Sequence, residues 1–229
     1  MRLTPRLQAI SDLILPCITL ADIGTDHGYV PIYCIKNGLA KTAIACDVRP
    51  GPLKIARANI EKFGMSGQIE TRLSNGLEKL SPCEADTIVI AGMGGPLILE
   101  ILNAGMEKIG GNTTLILQPM IAVSEVRRYL CKNGFIILNE ALAKEEHKIY
   151  NVLAVRRGHE DGSEFDFYVG KRLLEAGGPL FEAYMEHRLH VVNGIIEGMR
   201  KSASKGKELD GYMQERFYYE TALNIHKGR

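Results

Sequence analysis

With 229 residues, 45% hydrophobic content and a formal net charge of +1, the chain has apolar material for a full α/β core plus a smaller appendage. It carries too little excess charge to demand a polyanionic partner on that ground alone: residues 1 to 157 hold 18 Lys+Arg against 15 Asp+Glu, and the rest 10 against 12. Five cysteines, at 17, 34, 46, 83 and 131, are odd in number, widely spaced and free of any C-x-x-C pair, which argues against a disulfide framework and a zinc site.

Arg2 and Arg6 precede an apolar run that is broken by Gln8, Ser11 and Asp12, so no signal peptide is expected. No stretch approaches the ~18 apolar residues of a membrane span. A soluble, cytoplasmic protein of a reducing compartment, with no membrane partner, is the expectation.

From residue 18 to about 157, β-like runs alternate with helical patterns, which predicts a mostly parallel sheet covered on both faces. Strands are expected near 18–23, 42–47, 68–73, 86–91, 113–118, 134–142 and 149–156. The first ends in Asp22-Ile23-Gly24-Thr25-Asp26-His27-Gly28 and feeds a helix. Gly24 lets the backbone turn sharply, and the helix N-terminus presents unpaired N–H groups. A dinucleotide pyrophosphate favours G-x-G-x-x-G, but here Asp26 stands where the middle glycine would be and would repel it. S-adenosylmethionine carries a sulfonium and an ammonium, so Asp22 and Asp26 near its methionine end are favourable.

The second strand ends on Asp47, placed to accept hydrogen bonds from the ribose hydroxyls of an adenosine, a feature shared by NAD and S-adenosylmethionine. Gly51-Pro52 opens a helix over 53–63 that Gly64 ends. Asn75, in Ser74-Asn75-Gly76 after the third strand, offers a donor and an acceptor to adenine, or forms an ordinary Asn-Gly turn. The fourth strand runs into Ala91-Gly92-Met93-Gly94-Gly95-Pro96, where glycines allow close approach of cofactor and target, and Met93 can pack on a flat ring. Helices are expected over 96–109 and 123–133, the latter closed by a left-handed Asn133-Gly134 cap. Only Ala143 to Lys148 separates the last two strands, so they should form an antiparallel hairpin.

A polar linker, Gly158 to Ser163, then leads to two amphipathic patterns. One runs through Phe181, Met185, Arg188 or Leu189, Val192, Ile195 and Met199, and the other through Leu209, Tyr212, Arg216, Tyr219, Leu223 and His226. With Ser202 to Gly206 between them, they predict an antiparallel helical hairpin with a coiled-coil-like seam.

Taken in order, Asp22 to Tyr29, Asp47-Val48 with Gly51-Pro52-Leu53, Ala91 to Gly95, and Leu117-Gln118-Pro119-Met120 resemble the bacterial tRNA adenine-N1 methyltransferases that modify adenine 22. The Ala-Gly-Met-Gly-Gly loop is the most specific of these. The resemblance implies a Rossmann-like class I methyltransferase domain over 1–157 and a coiled-coil-like helical domain over 158–229. It also implies S-adenosylmethionine as methyl donor, tRNA as partner, no metal, and methyl transfer to N1 of adenine 22. A monomer is compatible with it.

Cofactor contacts then fall to Asp22, Gly24, His27 and Gly28 of the first loop, and to Asp47 and Val48 of the second strand end. Asn75 and Gly76 follow the third strand, and Gly92, Met93 and Gly94 follow the fourth. Asn75 replaces the aspartate that such proteins commonly carry before the glycine. Methylation makes the adenine cationic, and Asp26 is the candidate catalytic carboxylate that stabilises this charge or takes an N6 proton, although it could equally cap the helix or hold the donor's ammonium. Arg2, Arg6, Arg49, Arg57, Arg127 and Arg128 are candidate phosphate contacts. The residues also accommodate a small-metabolite methyltransferase or a non-catalytic binding module, and fit an NAD-dependent oxidoreductase less well.

Overall fold

The computed structural model describes residues 1–201 and 206–228. The chain divides into two compact units, Met1–Glu160 and Asp161–Arg229. In the first, seven strands form one sheet: β1 (Cys17–Ile23), β2 (Ala40–Asp47), β3 (Ile69–Leu73), β4 (Thr87–Met93), β5 (Thr114–Pro119), β6 (Phe135–Glu145) and β7 (Lys148–Arg157). Their spatial order is β3-β2-β1-β4-β5-β7-β6. The first five pair in parallel, while β7 runs antiparallel to both β5 and β6.

Helices cover both faces. Ile10 of α1 (Pro5–Asp12), Ile32 and Cys34 of α2 (Tyr29–Lys36) and Ile60 of α3 (Pro50–Lys62) pack with Leu20, Ala45 and Val89 on one side. On the other, Ile98 and Leu102 of α4 (Gly95–Ala104) and Val126 and Leu130 of α5 (Val123–Lys132) pack with Ile90, Leu117 and Leu153. Two covered faces explain why the central strands read as near-continuous apolar runs. Cys34 and Cys46 are small buried members of this core.

Seven strands and a terminal hairpin are found as expected, and three local readings change. The helix expected over 96–109 stops at Ala104, and a 3-10 turn, Met106–Lys108, follows. Gly105 lies so close to Leu77 that a Cβ there would come within 2.6 Å of its side chain, so the chain turns where backbones must approach. The hairpin turn is shorter than Ala143 to Lys148, because β6 and β7 pair up to Glu145 and Lys148 and leave Glu146 and His147 to turn, Glu146 at φ +54°. An unforeseen helix, α1, begins at Thr4, whose hydroxyl accepts from the Leu7 N–H, with Pro5 at the first helical position.

The second unit contains α6 (Glu164–Val169), α7 (Lys171–Ala176), α8 (Pro179–Lys201) and α9 (Lys207–Lys227). Ser163 and Asp166 form a capping box at the start of α6. Antiparallel packing of α8 and α9 follows from Phe181 meeting His226 and Arg188 donating to Glu215 and Tyr219. The seam uses Phe181, Met185, Val192 and Ile196, so Ile195, expected inside, is 37% exposed. The step from 192 to 196 follows the 3.6-residue period of a straight helix, whereas a step of three rotates the side chain away. Residues 202–205 of the expected connection lie outside the described residues.

Arg127 is a further correction. Its side chain is 1% exposed and its Nε and Nη2 each lie 2.8 Å from Glu140 Oε1, so it is a buried ion-pair member and cannot be a phosphate contact. Glu140→Ala should therefore destabilise the protein by about 3–5 kcal/mol, because it removes the carboxylate paired with a buried guanidinium. Urea unfolding monitored by circular dichroism reads this, and a loss below about 1 kcal/mol would contradict the pairing's importance.

Candidate active site

A cavity of about 630 Å³ opens at the carboxyl ends of β1, β2 and β4, at the point where the strand order reverses. Asp22, Gly24, Asp26, His27, Asp47, Val48, Asn75, Gly76, Gly92 and Met93 all line it. Gly28 and Gly94 do not. Gly28 caps α2 in a left-handed conformation and faces Ala56 of α3, while Gly94 caps α4 beside Ile121.

The first wall is built on charge. Asp22 is 5% exposed, and Thr25 Oγ1 donates to its Oδ2 at 2.7 Å. Burial lifts its pKa to about 6; the Thr25 bond opposes the rise and the Asp47 charge adds to it. Asp47 is also 5% exposed; its Oδ1 accepts from the Arg49 N–H at 2.9 Å, which leaves Oδ2 for a ligand. Two carboxylates in one cleft suit a ligand with cationic and hydroxyl groups, and oppose an anionic one.

Glycines shape the floor. Gly24 adopts φ +76° and its N–H donates to Cys46 O at 2.8 Å, tying the β1 loop to β2. That φ strains any residue with a side chain, and a Cβ at Gly24 would also have to displace the Met93 methyl group where the two loops meet. Asp26 is held at φ +50°, with Oδ2 3.3 Å from His27 Nε2, and the His27 ring stacks on Tyr29 at 5.3 Å between centroids. Val48 and Ile101 supply apolar walls near Ser74, Asn75 and Gly76, and Asn75 is exposed at the rim.

The opposite wall was not foreseen as a unit. Thr4, Arg6 and Leu7, at the start of α1, and Glu145, at the tip of the β6-β7 hairpin, line the same cavity. Arg6 is turned inward rather than to solvent: Nη1 donates to Gln118 Oε1 at 3.0 Å, and the guanidinium carbon lies 5.6 Å from the Tyr150 ring centroid. Gln118, fully buried, also accepts from the Gly92 N–H at 3.1 Å. A Thr-Pro pair heralds α1 in the sequence, but nothing local to Glu145 marks it as more than a turn residue. Among the described residues, no group of three or more His, Cys, Asp or Glu is placed to hold a metal ion.

Burial of Asp22 has a measurable consequence. The folded pocket holds this proton more tightly than the unfolded chain does, so its stabilising effect is complete below about pH 4 and is lost as pH rises through about 6. Asp22→Asn should thus become progressively more stable than the parent, in ligand-free protein, between about pH 4 and about pH 6, and level off above. Urea midpoints measured across this range test it, and parallel pH profiles for the two proteins would refute a raised Asp22 pKa.

The chain is similar to known proteins in sequence and in fold. A family model described as a methyltransferase domain matches residues 3–153. The chain is 40% identical over 163 residues to the tRNA (adenine(22)-N(1))-methyltransferase of Bacillus subtilis, covering 71% of this chain and 68% of that protein. Among solved structures, a Streptococcus pneumoniae protein in complex with S-adenosyl-L-methionine superposes with a TM-score of 0.87 at 30% identity, covering 97% of this chain and 100% of that one. M. capricolum TrmK, in complex with its cofactor product S-adenosyl-homocysteine, gives a TM-score of 0.85 at 28% identity, covering 99% and 100%. Sequence and structural likeness thus coincide over the unit that contains the cavity, and the chain belongs to the tRNA (adenine(22)-N1)-methyltransferase family.

Proposed function

We propose that this chain methylates N1 of adenine 22 in tRNA with S-adenosylmethionine as donor, acting in the cytoplasm where tRNA is met. The observation that carries the reading is the cleft formed by Asp22, Asp47 and Gly24. Its two buried carboxylates suit a ligand with an ammonium and a ribose diol, and its floor admits a ligand against bare backbone. The residues therefore fit the donor. Asp47 Oδ2 is the acceptor for the ribose hydroxyls and Asp22 the counter-charge at the amino acid end, while Val48 and Ile101 border the adenine.

When bound, the donor supplies an electrophilic sulfonium methyl group. The chain's contribution is orientation and exclusion of water, which together lower such a barrier by about 7–11 kcal/mol in favourable systems. Gly92 and Met93 stand between the donor wall and the wall made by Arg6 and Glu145, so the target ring has to enter there. Its N1 lone pair is engaged when the base is paired, and the base must leave any helix to reach the cavity, at a cost of a few kcal/mol. As N1 gains the methyl group the ring becomes cationic, and Asp26, 58% exposed on its loop, is placed to offset that charge. Arg2, Arg49 and Arg57 are exposed on the same unit and available to phosphates.

Four measurements test this. Incubation with total tRNA and donor should yield 1-methyladenosine at position 22, and a product that maps elsewhere would sink the proposal. Asp47→Ala should weaken donor binding in calorimetry by about 10- to 100-fold, as expected for lost hydrogen bonds to a charged group. For the parent, donor affinity should fall as pH drops below about 6, because Asp22 then keeps its proton. Asp26→Ala should slow transfer while leaving tRNA affinity intact; unchanged turnover would remove Asp26 from the mechanism.

A further inference from the structure

Asp22 and Asp47 are placed to serve the donor, and Asp26 is tied to His27. A fourth carboxylate lines the cavity from the other side. Glu145 ends β6, on a hairpin whose pairing continues to the Glu145-Lys148 rung and whose turn is fixed by Glu146 at φ +54°. Its Oε2 accepts from the backbone N–H of Arg6 at 3.2 Å. Among the described residues no Lys or Arg side chain forms an ion pair with it, since the Arg6 guanidinium is committed to Gln118. Glu145 thus carries an unneutralised charge in a cavity wall, with Oε1 unused and its position set by two elements.

The chemistry of this wall is that of an amino-group acceptor. A carboxylate accepts from the exocyclic N6 amino group of adenine but meets the carbonyl oxygen of guanine with repulsion. We propose that Glu145 Oε1 binds the N6 amino group of the target adenine and presents its N1 to the donor. This rests on the function proposed above and identifies how the site selects its base.

In the transfer the N1 lone pair forms the new C–N bond, the C–S bond breaks, and its electron pair stays on sulfur. Positive charge then spreads over N1, C6 and N6. The N6–H becomes a stronger donor as this happens, so its bond to Glu145 tightens on the way to the transition state and contributes to rate as well as to selection. The proton remains on N6. Arg6 is a positioning residue here: its backbone holds Glu145 while its side chain holds Gln118, which in turn holds Gly92.

The test compares single-turnover methylation of two tRNAs, one with adenine and one with unsubstituted purine at position 22, by the parent, Glu145→Gln and Glu145→Asp. Purine keeps N1 but lacks the amino group. The parent should prefer adenine by about 10- to 100-fold, the range expected for a hydrogen bond to a charged acceptor. In Glu145→Gln the amide oxygen can keep the Arg6 contact while its NH2 faces N6, so the adenine rate should fall and the preference shrink to the intrinsic reactivity ratio of the two free nucleosides. Glu145→Asp should retain the preference. Donor affinity, measured by calorimetry, should change little in either variant.

A Glu145→Gln enzyme that prefers adenine as strongly as the parent would overturn the assignment, as would equal preferences in the Gln and Asp variants. Failure of the underlying function is a separate outcome: the parent would then form no 1-methyladenosine at position 22 of the adenine tRNA.

Discussion

Asp22 and Asp47 lie at the ends of adjacent parallel strands and share one crevice, where burial and the neighbouring Asp47 carboxylate both oppose ionisation of Asp22. The fold keeps them there through short local bonds, Thr25 to Asp22 and the Arg49 N–H to Asp47, and through the backbone tie between Gly24 and Cys46. A ligand-free pocket of this kind is electrostatically incomplete. It is completed by a molecule that brings positive charge and hydroxyl donors, which explains why the cleft suits a sulfonium nucleoside and not a pyrophosphate. Strand order decides its location: β1 and β4 diverge to opposite crossovers, and the gap between them is the one place where loops from both can face a ligand.

The cavity wall at Arg6 and Glu145 depends on a different kind of restraint. Gln118 is fully buried at the end of β5, and its carbonyl oxygen accepts from both Arg6 and the Gly92 N–H. Three segments, α1, β5 and the carboxyl end of β4, are joined through that single oxygen. A second link runs from the Arg6 backbone to Glu145. These bonds bring the antiparallel end of the sheet to the cavity, so the hairpin of β6 and β7 contributes a lining carboxylate as well as an edge. The buried Arg127-Glu140 pair anchors α5 to the same hairpin from the other face.

The helical unit is organised by simpler means. A seam of Phe181, Met185, Val192 and Ile196 against Tyr219, Ala222 and Leu223 buries apolar surface, and Arg188 ties it to Glu215 and Tyr219. Burial pushes the Tyr219 phenol well above its usual range, a rise that the Arg188 charge partly offsets, so Tyr219 stays neutral and donates to Glu215 at 2.8 Å. Its short helices α6 and α7 carry capping and glycine signals at Ser163, Gly170 and Gly177, but six-residue helices are too short for periodicity to reveal.

The strand sequence, both glycine loops, the antiparallel hairpin and the helical pair were legible from residue order, because each depends on neighbours within about ten positions. Asp22, Gly24, Asp47 and Met93 were legible too, since strand-end loops in a parallel sheet converge by topology. Glu145 was not, and Arg127 was misread, because a charged residue looks the same in sequence whether it faces water or a buried partner. Arg6 meets Gln118 across 112 positions and Glu145 across 139. Contacts of that span exist only once the sheet has formed and brought these distant segments to one crevice. Local order therefore determined the elements and the strand-end loops with Asp22 and Asp47, and tertiary packing alone brought Arg6 and Glu145 to the same cavity.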